Sequence, residues 1–141
     1  MSIRYKLPAL ALTMLFTLGA QAESELVKST PMEVEGATTV DAAAAKDLFD
    51  QEAAFVDLRK ENVWDAGRVP GAIWLDFKKA FSQEALAAEV DKGEKVVFYC
   101  SGDRCPRSSK ACKKALAWGY SDVYYFRDGY PAWKNAGYPI E

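Results

Sequence analysis

The chain of 141 residues contains no histidine. That absence removes Cys-His and Ser-His-Asp catalysis and leaves no imidazole for a metal site, so any chemistry must run without an imidazole base. Cysteine is scarce too: three residues, Cys100, Cys105 and Cys112, all in one short stretch. They cannot form the framework that staples small secreted folds, and their spacing holds neither a Cys-x-x-Cys pair nor a zinc pattern. No metal and no cofactor is expected. Net charge is −2 with no long basic stripe, which leaves nucleic-acid binding without an electrostatic footprint.

An apolar run of membrane-spanning length is also lacking. Leu7 to Ala20 is apolar apart from Pro8, Thr13, Thr17 and Gly19, shorter than the roughly 20 residues a spanning helix needs. With Arg4 and Lys6 ahead of it and Ala20-Gln21-Ala22 behind, Met1 to Ala22 reads as a signal peptide cleaved after Ala22. The expected destination is the periplasm of a bacterial host, with a mature protein that does not span the membrane. Glu23 to Gly36 is polar, aperiodic and carries Pro31 and Gly36, the pattern of a flexible lead-in. Residues 37–141 then form one domain, and half of the whole chain is apolar, enough for a packed core.

Within that domain strand and helix patterns alternate. Strands are expected at Thr38–Val40, Ala54–Leu58, Ala72–Leu75, Lys95–Tyr99 and Val123–Phe126, the fourth being an unbroken β-branched and aromatic run suited to a central position. Helices are expected from Asp41, as N-cap, to Asp50, over Ser82–Val90, over Pro106–Trp118 and over Pro131–Ala136. Alternation of this kind implies an α/β fold, a central five-stranded parallel sheet with helices on both faces.

Ligands of open parallel sheets bind at the carboxyl ends of the strands, and Cys100-Ser101-Gly102-Asp103-Arg104-Cys105-Pro106-Arg107 leaves the central strand at such an edge. Gly102 lets backbone N–H groups turn inward as an anion-binding nest, and the helix beginning near Pro106 adds its positive end. Arg104 and Arg107 supply cations. Such an electropositive, partly exposed site favours thiolate over thiol at Cys100. A thiolate can attack a sulfane sulfur directly and needs no protonated leaving group, so sulfur transfer fits the missing histidine. The competing reading is a buried structural cysteine.

The remaining residues divide similarly. Cys105 either pairs with Cys100, protecting it or resolving a bound sulfur, or caps the helix start. Cys112 lies on the apolar stripe of its helix and is expected in the core. Asp57 and Arg59 end the second strand at the same sheet edge and can line the pocket. Structure is favoured for Arg59, with Glu61 close by. The four tryptophans are expected to pack the core and loops, and Lys110, Lys113 and Lys114 to form a solvated helix face.

From Thr38 to Glu141 the chain resembles the rhodanese family. Phe55-Val56-Asp57-Leu58-Arg59 looks like its strand ending in Asp-x-Arg, and Gly67-Arg68-Val69-Pro70-Gly71-Ala72-Ile73 like its Gly-His-Ile-Pro-Gly-Ala segment. Tyr99-Cys100 is placed like the strand-end catalytic cysteine. Asp128-Gly129-Tyr130-Pro131-Ala132-Trp133 with Gly137-Tyr138-Pro139 is similar to the closing Gly-Gly-x-x-x-Trp-x-x-x-Gly-x-Pro. The resemblance implies a sulfurtransferase carrying the sulfur on Cys100 as a persulfide. Its donor would be a small sulfur-containing anion or a persulfidated protein, and its acceptor a thiol or cyanide. Arg68 for His, Val63 for Glu and Asp128 for Gly depart from the pattern and are expected away from the cysteine. The loop is also two residues longer, with Cys105 added, which loosens any assignment to thiosulfate. Three alternatives stand beside this reading: a non-catalytic sulfur-carrier or partner-binding module, a Cys100/Cys105 thiol-disulfide protein, and a phosphatase or arsenate reductase. The last needs Cys-x5-Arg, and Pro106 stands where that arginine belongs.

Overall fold

The computed structural model describes residues 29–141; the expected signal peptide and the first part of the lead-in lie outside them. The elements run β1 (Thr38–Thr39), α1 (Ala42–Asp50), β2 (Ala54–Asp57), α2 (Glu61–Asp65), β3 (Ile73–Trp74), α3 (Gln83–Glu89), β4 (Val96–Tyr99), α4 (Arg107–Ala117), β5 (Val123–Phe126) and α5 (Gly129–Asn135). The five strands form one sheet in the order β1-β5-β4-β2-β3, every pair parallel. The expected fold is therefore present.

β4 lies between β2 and β5, with Tyr99 level with Asp57 on one side and Phe126 on the other. Both its faces are covered, which its apolar run requires. Alternate side chains feed two separate cores. Val96 and Phe98 pack with Val56, Leu58, Leu86, Ala111, Cys112 and Ala115, under α3 and α4. Val97 and Tyr99 pack with Ala45, Leu48, Phe55, Phe126 and Trp133, under α1 and α5. At about 1.5–3 kcal/mol per fully buried large side chain, these layers supply most of the driving force.

Helix starts follow their caps. Asp41 Oδ1 accepts from the Ala44 N–H at 2.8 Å and Ser82 Oγ from the Ala85 N–H at 3.1 Å, each contributing about 1 kcal/mol. α5 begins two residues before the expected Pro131, which therefore stands in its first turn, where the missing N–H has no intrahelical acceptor to lose. α2 was not expected: five residues with none buried give no apolar period to read.

The lead-in requires a correction for the described residues. Thr30 and Val34 are buried, and Val34 joins the α3/α4-side core. Tyr125 Oη donates to Pro31 O at 2.9 Å, and the Arg127 guanidinium donates to Pro31 O and Thr30 O, both at 3.2 Å. This stretch is a strap held against the sheet, irregular in backbone but tied by its carbonyls.

Candidate active site

Cys100 follows β4 directly, and its sulfur is joined to that of Cys105, five residues on, across a Cα separation of 6.2 Å. Of the two readings of Cys105, the structure therefore shows the paired one. Cys100 is only 1% exposed, more enclosed than expected, while Cys105 is half-buried.

Three supports shape the intervening loop. Gly102, at φ +132°, allows the turn in which the Cys105 N–H donates to Gly102 O at 3.1 Å. The Thr30 N–H donates to Asp103 O at 3.1 Å, so the strap grips the loop tip. Behind the loop the Tyr130 N–H donates to Cys100 O at 3.0 Å. Gly129 makes that approach possible: a Cβ there would fall within contact distance of Cys100 O and 3.0 Å from both Cys100 C and Gly102 N. The N–H groups of Ser101, Gly102, Asp103 and Arg104 donate to no protein acceptor among the described residues.

Beside the disulfide lies a hollow of about 200 Å³ lined by Arg59, Lys60, Val63, Cys100, Ser101, Cys105 and Arg107. Its wall carries three cations and no carboxylate. Two of the three are already engaged. Arg59 clasps Asp57 through Nε (2.9 Å to Oδ1) and Nη2 (2.6 Å to Oδ2), and Nη2 also donates to Gly67 O at 2.8 Å. Burial disfavours its charge, but the hydrogen bonds and charge of Asp57 outweigh burial and hold its pKa above the ordinary value. Its guanidinium carbon also sits 4.3 Å from the Tyr130 ring centre. Arg107 Nη1 donates to Leu58 O at 2.8 Å and to Asp76 Oδ1 at 3.2 Å. Lys60 forms no ion pair among the described residues, and it also borders a second hollow of about 400 Å³ lined by Glu61, Asn62, Asp76, Lys78, Lys79 and Arg107.

Several expectations change accordingly. Asp57 is fully buried and serves Arg59 instead of lining the hollow, and Arg59 takes Asp57 rather than Glu61 as partner. Arg107 reaches the hollow, but Asp76 already neutralises it. With Nη1 held from two sides, it is not a free arm for wrapping an oxyanion, which counts against the phosphatase reading. Arg104 and Asp103 are exposed at the loop tip and are not among the residues lining this hollow. Val63 reverses an expectation outright: the departure from the family's Glu borders the same hollow as Cys100, leaving the wall without a carboxylate. Lys60 and Tyr130 went unnoticed in the sequence. Adjacency to Arg59 and the Gly-x-x-x-Trp segment were the available signals.

Cys112 is fully buried, with Sγ 3.9 Å from Tyr124 O, and burial pushes its thiol pKa well up. It is core, as expected. Lys110, Lys113 and Lys114 are exposed. Trp64 stacks on Trp74, Trp118 packs on Phe81, and Trp133 is fully buried. Among the described residues no cluster of acidic or cysteine side chains could hold a metal.

A five-stranded parallel sheet with a cysteine at the end of its central strand, buttressed by a Gly-Tyr-Pro-Ala-Trp helix, defines the class. The profile of the rhodanese-like domain family matches residues 41–136, and the chain belongs to that family. The thiosulfate sulfurtransferase GlpE of Pseudomonas savastanoi pv. phaseolicola is 30% identical over 97 residues, which cover 69% of this chain and 86% of that protein. The tRNA uridine(34) hydroxylase of Erwinia tasmaniensis is 33% identical over 89 residues, or 58% of this chain; the match spans only 24% of that longer protein. The crystal structure of the Alr3790 protein from Anabaena superposes with a TM-score of 0.63 at 22% identity, covering 72% of this chain and 90% of that one, a likeness of fold.

Proposed function

We propose that the chain is a sulfurtransferase whose reduced form carries sulfur on Cys100. The observation that supports this most is the place of Cys100, at the end of β4 beside a hollow with Arg59, Lys60 and Arg107 in its wall and no carboxylate. The Cys100 thiolate attacks the sulfane sulfur of a small anion or of a persulfidated protein. The donor's sulfur–sulfur bond breaks, sulfite or a thiolate leaves with the electron pair, and Cys100 becomes a persulfide. An acceptor thiolate or cyanide then takes the outer sulfur and returns Cys100 as thiolate. Neither step needs an imidazole. Lys60 and the unpaired N–H groups of the loop favour the anionic forms of cysteine and persulfide. Thiosulfate is one candidate donor, and the periplasm, reached through Met1 to Ala22, is the proposed setting.

Intact-mass measurement tests the reading. Reduced chain, or its Cys105→Ser variant, treated with thiosulfate, polysulfide or glutathione persulfide is expected to take up sulfur at Cys100, and cyanide to discharge it as thiocyanate. Cys100→Ser takes up none. Failure of every donor to load sulfur, on the wild type and on a Cys105→Ser variant alike, refutes the proposal.

A further inference from the structure

A sulfur carrier needs one cysteine, yet the loop holds two in bonding contact, and Cys105 is the more exposed. Building on the persulfide reading, we propose a second activity: the loop dithiol reduces the bound sulfane sulfur and releases it as hydrosulfide. With Cys100 loaded, the sulfur of Cys105 attacks Cys100 Sγ. The bond between Cys100 Sγ and the outer sulfur breaks, and the outer sulfur leaves with the electron pair. The proton given up by Cys105 departs on the hydrosulfide. The sulfane sulfur gains two electrons and the two cysteines lose one each, ending as the Cys100–Cys105 disulfide seen here.

Three observations support this course. The Cα separation of 6.2 Å lies within the usual range for bridged cysteines, so the loop brings the two sulfurs together without unfolding. Cys100 and Cys105 border the same hollow, which gives the departing sulfur an exit past Lys60. Cys112, the other thiol among the described residues, is buried in the α3/α4-side core and cannot take the part of Cys105.

The cycle closes with an external dithiol as reductant. Its thiolate attacks the accessible Cys105 sulfur, so that Cys100 leaves as thiolate beside Lys60 and the loop N–H groups. Exchange is faster when the leaving thiol has the lower pKa. The reductant's second thiol then frees Cys105. The net reaction consumes a sulfane donor and a dithiol and yields hydrosulfide, a disulfide and the donor's leaving group, sulfite from thiosulfate or a thiolate from a persulfide.

The test is a single turnover. Reduced chain, freed of reductant, is mixed with one equivalent of thiosulfate in one arm and of inorganic polysulfide in another. It is then followed by intact mass and by hydrosulfide assay, with Cys105→Ser and Cys105→Ala in parallel. Both variants are expected to gain about 32 Da and keep it, whereas wild type ends about 2 Da lighter than its reduced form. In the thiosulfate arm wild type also releases one hydrosulfide for each sulfur taken up. If wild type holds the adduct as long as the variants do and no hydrosulfide appears, the second activity is overturned while the persulfide reading stands. If the Cys105 variants and wild type gain no sulfur from either probe or from glutathione persulfide, the persulfide reading falls and this inference falls with it.

Discussion

The glycine behind the active-site loop offers a quantitative test of how that loop is held. Gly129 has φ +64°, and a Cβ there would press on Cys100 O and lie 3.0 Å from Cys100 C and Gly102 N. Gly129→Ala therefore carries two costs. The left-handed backbone costs a non-glycine residue roughly 1 kcal/mol or more. Forcing a methyl group against backbone atoms adds about 1–3 kcal/mol of overpacking, and about 1 kcal/mol more if the bond from Tyr130 N–H to Cys100 O is lost. The expected total is roughly 2–5 kcal/mol, a large share of the ~5–15 kcal/mol that stabilises a typical domain. Gly137→Ala is the control, because Gly137 has φ +77° but nothing within 4 Å of its Cβ position, leaving only the backbone cost. In urea, with a slope of ~2 kcal/mol/M, the midpoint should fall by roughly 1–2.5 M for Gly129→Ala and by about 0.5 M for Gly137→Ala. Sulfur uptake by the folded fraction should slow only in the first variant. Equal midpoints for the two would refute the reasoning, since Cys100 O would then be yielding without cost.

Asp57→Asn should destabilise the chain by about 3 kcal/mol, because it leaves the buried Arg59 guanidinium without its counter-charge. The folded variant should still load sulfur at Cys100; stability unchanged with loading lost would place Asp57 in the chemistry instead. The Cys112 thiol makes stability fall in alkali. Its folded-state pKa is raised by burial, above the ~8.5 of an exposed thiol. Below that pH both states hold the proton. Above it the unfolded chain ionises first, and stability is lost by up to about 1.4 kcal/mol per pH unit until the folded thiol also ionises. Urea midpoints between pH 8 and 10 should show a shallower decline for Cys112→Ala than for wild type, and identical slopes would contradict the burial of that thiol.

Local patterns were legible in the sequence where one element decides its own structure. The Val96–Tyr99 run could only be a covered strand, and Asp41 announced its helix by the side-chain oxygen it offers. Partnerships across the fold were not legible. Arg107 adjoins the cysteine loop in sequence, yet its partner Asp76 stands 31 residues away, beyond β3, and no local pattern shows that a buried carboxylate will meet it. Likewise Asp57 and Arg59 alternate along one strand end. Only the chain's turn after Leu58 folds the guanidinium back onto the carboxylate. Val63 was singled out as a departure but misplaced, because α2 carries it and α2 has no periodic signal. The strap was misread for a related reason: a proline and a glycine mark irregular backbone, and irregular backbone can still be tied through carbonyls to Tyr125 and Arg127.

The disulfide bears more on chemistry than on stability. Cross-linking residues only five apart removes little freedom from the unfolded chain, about 2 kcal/mol on the chain-entropy account. The loop has other anchors of comparable total strength: Tyr130 N–H on Cys100 O, Thr30 N–H on Asp103 O, and the Gly102–Cys105 turn, each contributing about 0.5–1.5 kcal/mol. None of these involves a sulfur atom. Opening the bond therefore leaves the loop's principal supports in place. The same backbone supports are expected to hold Cys100 in the reduced chain, with Cys105 close by. A bond worth about 2 kcal/mol, beside backbone anchors of comparable total strength, can open without releasing the loop, as the proposed hydrosulfide-releasing cycle requires.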